Sequence, residues 1–182
     1  RLFLFGARDV WFVIALPLYL SSQFNWTHAE VGSFLALWVI GYGAVQAFAP
    51  LITGKKSGKV PNATTALLWA SLLCCIPLLI SLGITYTLYP LWILIGGLML
   101  FGAIFAVNSS LHSYLIVSFA GRDGVSLDVG FYYMANAMGR LIGTVLSGWV
   151  YQAQGLQACL LVSSTFLGLT VLITMCLKTP KR

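Results

Sequence analysis

Long apolar blocks alternate with short polar stretches along the chain, at about residues 2–22, 30–53, 62–84, 90–119, 128–152 and 156–177. A helix needs about 20 mostly apolar residues to cross the hydrocarbon core of a bilayer, and each block meets that length. None alternates in the sustained way that a membrane barrel strand requires. The pattern predicts an all-α integral membrane protein with six transmembrane helices in one unit over 1–182. The fourth block exceeds a single crossing, so its helix should project beyond the bilayer or bend near Gly96, Gly97 and Gly102.

The connections differ in kind. "QFNWTHAE" carries Thr27 and Glu30 at the spacing of a capping box, in which each side chain satisfies the other's backbone N–H at a helix start. "GKKSGKVP" holds three lysines, "TYTLY" and "AQG" are neutral, "AGRDGVSL" carries Arg122, and "KTPKR" closes the chain. Of the ten Lys and Arg, only Arg8 and Arg140 lie inside blocks, and the other eight, Arg1 included, fall on one side of the predicted membrane. The positive-inside rule then places both ends in the cytoplasm and the protein in the cell inner (plasma) membrane as a multi-pass protein. The chain opens on Arg1 with the apolar pattern under way at Leu2 and shows no signal-peptide pattern, which reads as a fragment beginning near the start of a span.

Composition agrees with this partition. The residues are 59% hydrophobic and 8% charged, and mean hydropathy is +0.92, whereas a water-soluble domain keeps roughly a quarter of its residues charged. The solvent is the lipid bilayer. A net charge of +6 does not indicate nucleic acid, because the basic residues sit in connections and ends rather than on one face. Cys74, Cys75, Cys159 and Cys176 lie in apolar runs without a C-x-x-C pair and read as small core residues. Sequons at Asn25, Asn62 and Asn108 fall at incompatible depths and read as chance. No nucleotide loop, nucleophile elbow or zinc motif is present, so neither an enzyme nor a cofactor is expected.

The polar residues inside the blocks carry the candidate chemistry. Arg140 lies midway along the fifth block, where a charged side chain costs at least ~2.5–3.5 kcal/mol and belongs in a bundle interior or aqueous cavity. Tyr132, Asn136, Arg140 and Thr144, four apart, share one helix face with Ser147 nearby. Two readings stand. Arg140 either pairs permanently with Asp9, the one carboxylate well inside a block, or grips an anion through the two parallel hydrogen bonds a guanidinium makes. Trp38, Tyr42 and Gln46 repeat the four-residue spacing in the second block, as cavity lining or as helix–helix hydrogen bonders. Asn108 and His112 sit one turn apart in the fourth, where His112 is a proton relay or a structural hydrogen bonder. Gly139 and Gly143 make a G-x-x-x-G step that lets helix backbones approach closely. Arg8 and Asp9 are adjacent, and neighbours on a helix point roughly 100° apart, so a self-contained pair is disfavoured. Arg8 then either snorkels to the inner surface or joins Arg140, and Asp9 either neutralises Arg140 or carries a proton.

Six spans with both ends inside resemble one half of a major facilitator superfamily transporter. The loop "GKKSGKV" looks like a weakened form of that family's G-x-L-x-D-R-x-G-R-K loop without its acidic residue, and "NAMGRLIGTVLSGWVYQAQG" resembles the eleventh span. The resemblance implies a carboxyl-terminal half, spans seven to twelve, with the amino-terminal half as its missing partner. "FGARDVWFVIALPLYL", "LALWVIGYGAVQAFAP" and "DVGFYYMANAMGRLIGTVLSG" look like the organoarsenical efflux permeases, the ArsJ family. That likeness implies export of arsenylated phosphoglycerate, an anionic small molecule, and arsenate resistance. The expected substrate-binding residues are Arg140, Asn136, Tyr132, Arg8, Tyr42, Gln46 and Asn108, with Asp9 and His112 for proton coupling. Rival readings are an antiporter or exporter for another organic anion or a drug, and a multispan receptor or scaffold that transports nothing.

Overall fold

The computed structural model describes residues 1–52, 63–119 and 125–176, and these are helical apart from short connections, with no strand among them. The elements are α1 (Leu2–Phe12), α2 (Ala15–Phe24), α3 (His28–Ile52), α4 (Ala63–Tyr86), α5 (Pro90–Phe119) and α6 (Val125–Met175). Five stretches are long and apolar enough to cross a membrane: Leu2–Phe24, His28–Ala49, Thr64–Tyr86, Pro90–Ile116 and Ser126–Met175. The basic loop "GKKSGKV", Arg122 and the "KTPKR" tail lie outside the described residues.

One predicted boundary is corrected. The first block is two helices, because Pro17 lacks an N–H and its ring crowds the carbonyl four residues back, at Val13. The chain breaks there, and the N–H groups of Ile14 and Ala15 turn to the Ser147 hydroxyl of α6 at 3.4 and 3.1 Å. A neighbouring hydroxyl thus satisfies the backbone donors that a proline frees inside a span. The last two blocks, expected as separate helices, lie within the 51 residues of α6 as two helical stretches that meet at a kink, where one straight helix would run about 75 Å against about 30 Å of hydrocarbon. Gly155 alone departs from helical geometry, at φ 77° and ψ −172°, a backbone conformation open to glycine and costly to any residue with a Cβ. The two sides of α6 then lie together. A methyl group on Gly6 would meet the Phe166 ring at 3.0 Å and the Gly139 carbonyl at 3.1 Å, and Cys159 Sγ lies 3.9 Å from the Ser147 carbonyl.

The capping box forms as expected. Glu30 Oε2 accepts from the Thr27 N–H and hydroxyl, both at 2.8 Å, and the Glu30 N–H reaches Thr27 Oγ1 at 3.3 Å. Asn25 closes α2 in the left-handed conformation at φ 55°, which Asn tolerates because its short amide bonds locally. The long α5 continues through its glycines. A Cβ at Gly102 would lie 2.7 Å from the Trp38 ring, and one at Gly97 would strike Ile80. Each of these two glycines admits a neighbouring side chain.

The core forms around α1, half of whose span is buried, whereas α3 is only 11% buried. Trp11 packs edge-on to Phe101 at 5.2 Å, Phe101 stacks on Phe105 at 5.7 Å, and Phe105 meets Phe5 at 5.2 Å. Leu37, Ile40, Phe48, Leu79, Trp92 and Trp149 point outward, the reverse of a water-soluble surface, as lipid contact requires. α1 and α6 approach closest. A Cβ at Gly139 would overlap the Leu2 carbonyl, and one at Gly143 would lie 2.7 Å from that of Gly6. With no hydrophobic force between helices in lipid, such contact supplies the van der Waals attraction that holds them.

Candidate functional site

The glycine step frames Arg140. Because Gly139 and Gly143 let α6 lie against the backbone of α1, the side chain between them reaches Asp9, which is 1% exposed. Arg140 Nε donates to Asp9 Oδ2 at 3.2 Å, and Arg8 Nε donates to Asp9 Oδ1 at 2.6 Å. The expectation that Arg8 and Asp9 would not pair is corrected. Their Cα–Cβ vectors diverge, but the long Arg8 side chain curls back, so the flexible stem overcomes the backbone angle. Arg8 neither snorkels away nor stands free. Its guanidinium also lies 5.2 Å from the Phe5 ring centroid and 5.4 Å from that of Phe105.

The two arginines differ in surroundings. The Arg8 side chain is 13% exposed and that of Arg140 is 59% exposed. Each donates its Nε–H to Asp9, and no hydrogen bond to the Nη groups of Arg140 is seen among the described residues. A guanidinium has five N–H donors in a planar fork, so the outer edge of Arg140 retains the geometry for a carboxylate or phosphate.

Arg1, not among the expected site residues, lies beside this cluster, on the Phe5 ring that Arg8 also meets. It donates through Nη1 to the Ser109 carbonyl at 2.9 Å, and through Nη2 to Ser109 Oγ at 3.2 Å and Ser113 Oγ at 3.3 Å. Its guanidinium sits between the rings of Phe5, at 4.4 Å, and Tyr132, at 4.5 Å. The available signal was spacing: Arg1 and Arg8 are two turns apart on one helix face, and Ser109 and Ser113 one turn apart on α5.

The remaining candidates divide. Tyr132 hydrogen bonds Ser113 at 2.6 Å beneath Arg1. Asn136 stands one turn before Arg140, with its Oδ1 buried and without a hydrogen-bond partner. Tyr42 stacks on Trp38 at 5.6 Å and faces Phe105 at 6.0 Å, and Gln46 lies half-buried one turn further along α3. Trp38 itself is 5% exposed and donates to the Leu98 carbonyl at 3.2 Å. Asn108 is turned to α4, donating to the Trp69 carbonyl at 2.9 Å and the Ile104 carbonyl at 3.1 Å. His112 Nδ1 lies 2.8 Å from the Asn108 carbonyl. Among the described residues no hydrogen bond joins Asn108 or His112 to Asp9 or Arg140, and both stand on the stretch of α5 whose Ser109 and Ser113 hold Arg1. No group of His, Cys, Asp and Glu among the described residues could hold a metal ion.

Residues 2–182 match the family model of the Major Facilitator Superfamily, and the chain belongs to that family of membrane transporters. No curated protein and no solved structure matches it.

Proposed function

We propose that the chain is the carboxyl-terminal, six-crossing half of a twelve-helix secondary transporter that exports a small organic anion by alternating access. Gly155 divides α6 into two crossings, which together with the other four spans gives six. The observation that carries the reading is the sharing of Asp9 by Arg8 and Arg140. One carboxylate engages two guanidiniums through their Nε groups, and the donor fork of Arg140 stays open beside it. A permanent lock between helices has no need of an arginine that is more than half exposed. An anion site does, since the Nη edge can grip oxygens while the Nε stays anchored.

In this mechanism the anion enters between this half and an amino-terminal half, and the two rock around it. Arg140 grips it, Arg8 holds Asp9 in place, and Asn136, Tyr132, Tyr42 and Gln46 orient it. Asp9 is the proton carrier. The proton and the anion are carried alternately: once the anion has left, Asp9 takes a proton on the acid side and carries it back on the return, so export is proton antiport. The likeness to organoarsenical efflux permeases supports arsenylated phosphoglycerate as the substrate, with arsenate resistance as the result.

The test is uptake of radiolabelled organoarsenical into everted membrane vesicles containing the full-length protein. Saturable uptake driven by an inward-acid gradient is expected, and its absence removes the export reading.

A further inference from the structure

Arg8 and Arg140 hold the same carboxylate but are held differently themselves. The Arg8 guanidinium meets two aromatic rings, 5.2 Å from the centroid of Phe5 on its own helix and 5.4 Å from that of Phe105 on α5. Among the described residues no ring faces Arg140, whose side chain is 59% exposed. Phe105 is fully buried and firmly packed. It stacks on Phe101 at 5.7 Å, meets Phe5 edge-on at 5.2 Å and faces Tyr42 of α3 at 6.0 Å. A ring face attracts a guanidinium through its quadrupole without neutralising it, so Arg8 keeps its full charge for Asp9. The rings also answer a local difficulty. Neighbours on a helix diverge by roughly 100°, so Arg8 reaches Asp9 only with its stem curled back. Holding a long side chain in one such conformer costs rotamer entropy, and the ring contacts offset it.

We propose that Phe105 is a positioning residue for the anion site: with Phe5 it fixes Arg8 on Asp9 Oδ1, and this keeps Arg140 available to the anion. The inference rests on the anion-transport reading and adds to it a residue of α5 that acts through Arg8. When Arg8 is loosened, Arg140 is the one cation left firmly on Asp9. Its fork then turns to the carboxylate, and the anion has to compete with Asp9 for it. The loss falls on binding of the anion and spares the movement that carries it. Phe101 provides the comparison, because it belongs to the same buried stack and packs on Trp11 and Phe105, while among the described residues no arginine faces its ring.

The test is the concentration dependence of uptake of the radiolabelled organoarsenical into everted vesicles containing the full-length protein, normalised to the amount inserted. Trifluorophenylalanine in place of Phe105 nearly keeps the shape of the ring and withdraws its negative face. This replacement is expected to raise KM by about threefold or more, the scale of one cation–π contact, with the maximal rate little changed. Phe105→Leu should raise KM at least as far, and trifluorophenylalanine in place of Phe101 should leave it at the wild-type value. If Phe105→Leu fails to insert, the fluorinated protein decides. An unchanged KM on fluorination of Phe105 overturns the proposal and leaves the anion reading standing. An equal rise on fluorination of Phe101 assigns the effect to packing and overturns it as well. If the wild type shows no saturable uptake, the anion reading falls, and the role of Phe105 with it.

Discussion

Gly143 of α6 lies against Gly6 of α1 with no side chain between them, so that a Cβ on Gly143 would come within 2.7 Å of the Gly6 carbonyl oxygen and 3.0 Å of Asp9 Cβ. The contact sets the depth at which Arg140 meets Asp9, because the arginine is carried on the same face of α6. Gly143→Ala should therefore destabilise the protein by about 1–3 kcal/mol, the usual range for overpacking a tight contact. Gly148→Ala is the control, since its Cβ would meet only Ile14 Cδ1 at an ordinary 3.6 Å. Thermal unfolding in detergent is expected to show a clear loss for the first variant and little for the second.

Ser147 accepts from two backbone donors at the break between α1 and α2. Ser147→Ala strands both N–H groups in a dry setting and should cost about 1–3 kcal/mol. The same change should cost less in a Pro17→Ala background, because α1 and α2 could then continue as one helix and satisfy those groups internally. A double-mutant cycle on unfolding free energy checks the coupling, and equal costs in both backgrounds would refute the account of the break.

The three charges should not be equivalent in stability. Asp9→Asn leaves Arg8, 13% exposed, without its counter-charge, and removing one partner of a buried pair costs about 3–5 kcal/mol. Arg140→Gln should cost much less, because that side chain is 59% exposed and water replaces part of what it loses. Unfolding midpoints in the order wild type, Arg140→Gln, Asp9→Asn are expected.

Much of this architecture is legible in the sequence, for identifiable physical reasons. Apolar blocks of crossing length announce spans whatever their packing, and Thr27 and Glu30 announce a helix start because a capping box is local in the chain. The same is true of Arg140, since a charge midway along a span must face something polar. What the sequence conceals is set by reach and by neighbours. The curl of the Arg8 stem back to Asp9 defeats an argument based on backbone direction alone. The position of Arg1 depends on Ser109, Ser113 and Tyr132, supplied by two distant helices, and the room left by Gly97 and Gly102 is taken by Ile80 and Trp38. Pro17 carried the signal for the broken first span, and only the hydroxyl that satisfies the break, Ser147, required the fold.

Proton coupling through Asp9 has its own signature. Asp9→Asn cannot carry a proton yet preserves the shape of the site, so net export driven by a proton gradient should be abolished. Exchange of labelled for unlabelled anion across vesicles without a gradient should persist. Loss of both activities in a protein that still inserts would show that Asp9 serves the structure of the site rather than coupling.

The central claim is that the open fork of Arg140 grips the transported anion while its Nε remains on Asp9. The most direct measurement is uptake of radiolabelled organic anion into everted vesicles by the full-length wild type, Arg140→Lys and Arg140→Gln proteins, normalised to the amount inserted. Arg140→Gln should lose uptake to background, and Arg140→Lys should fall by about tenfold or more, because a point charge replaces a bidentate fork. Wild-type uptake by the inserted Arg140→Gln protein would contradict the account.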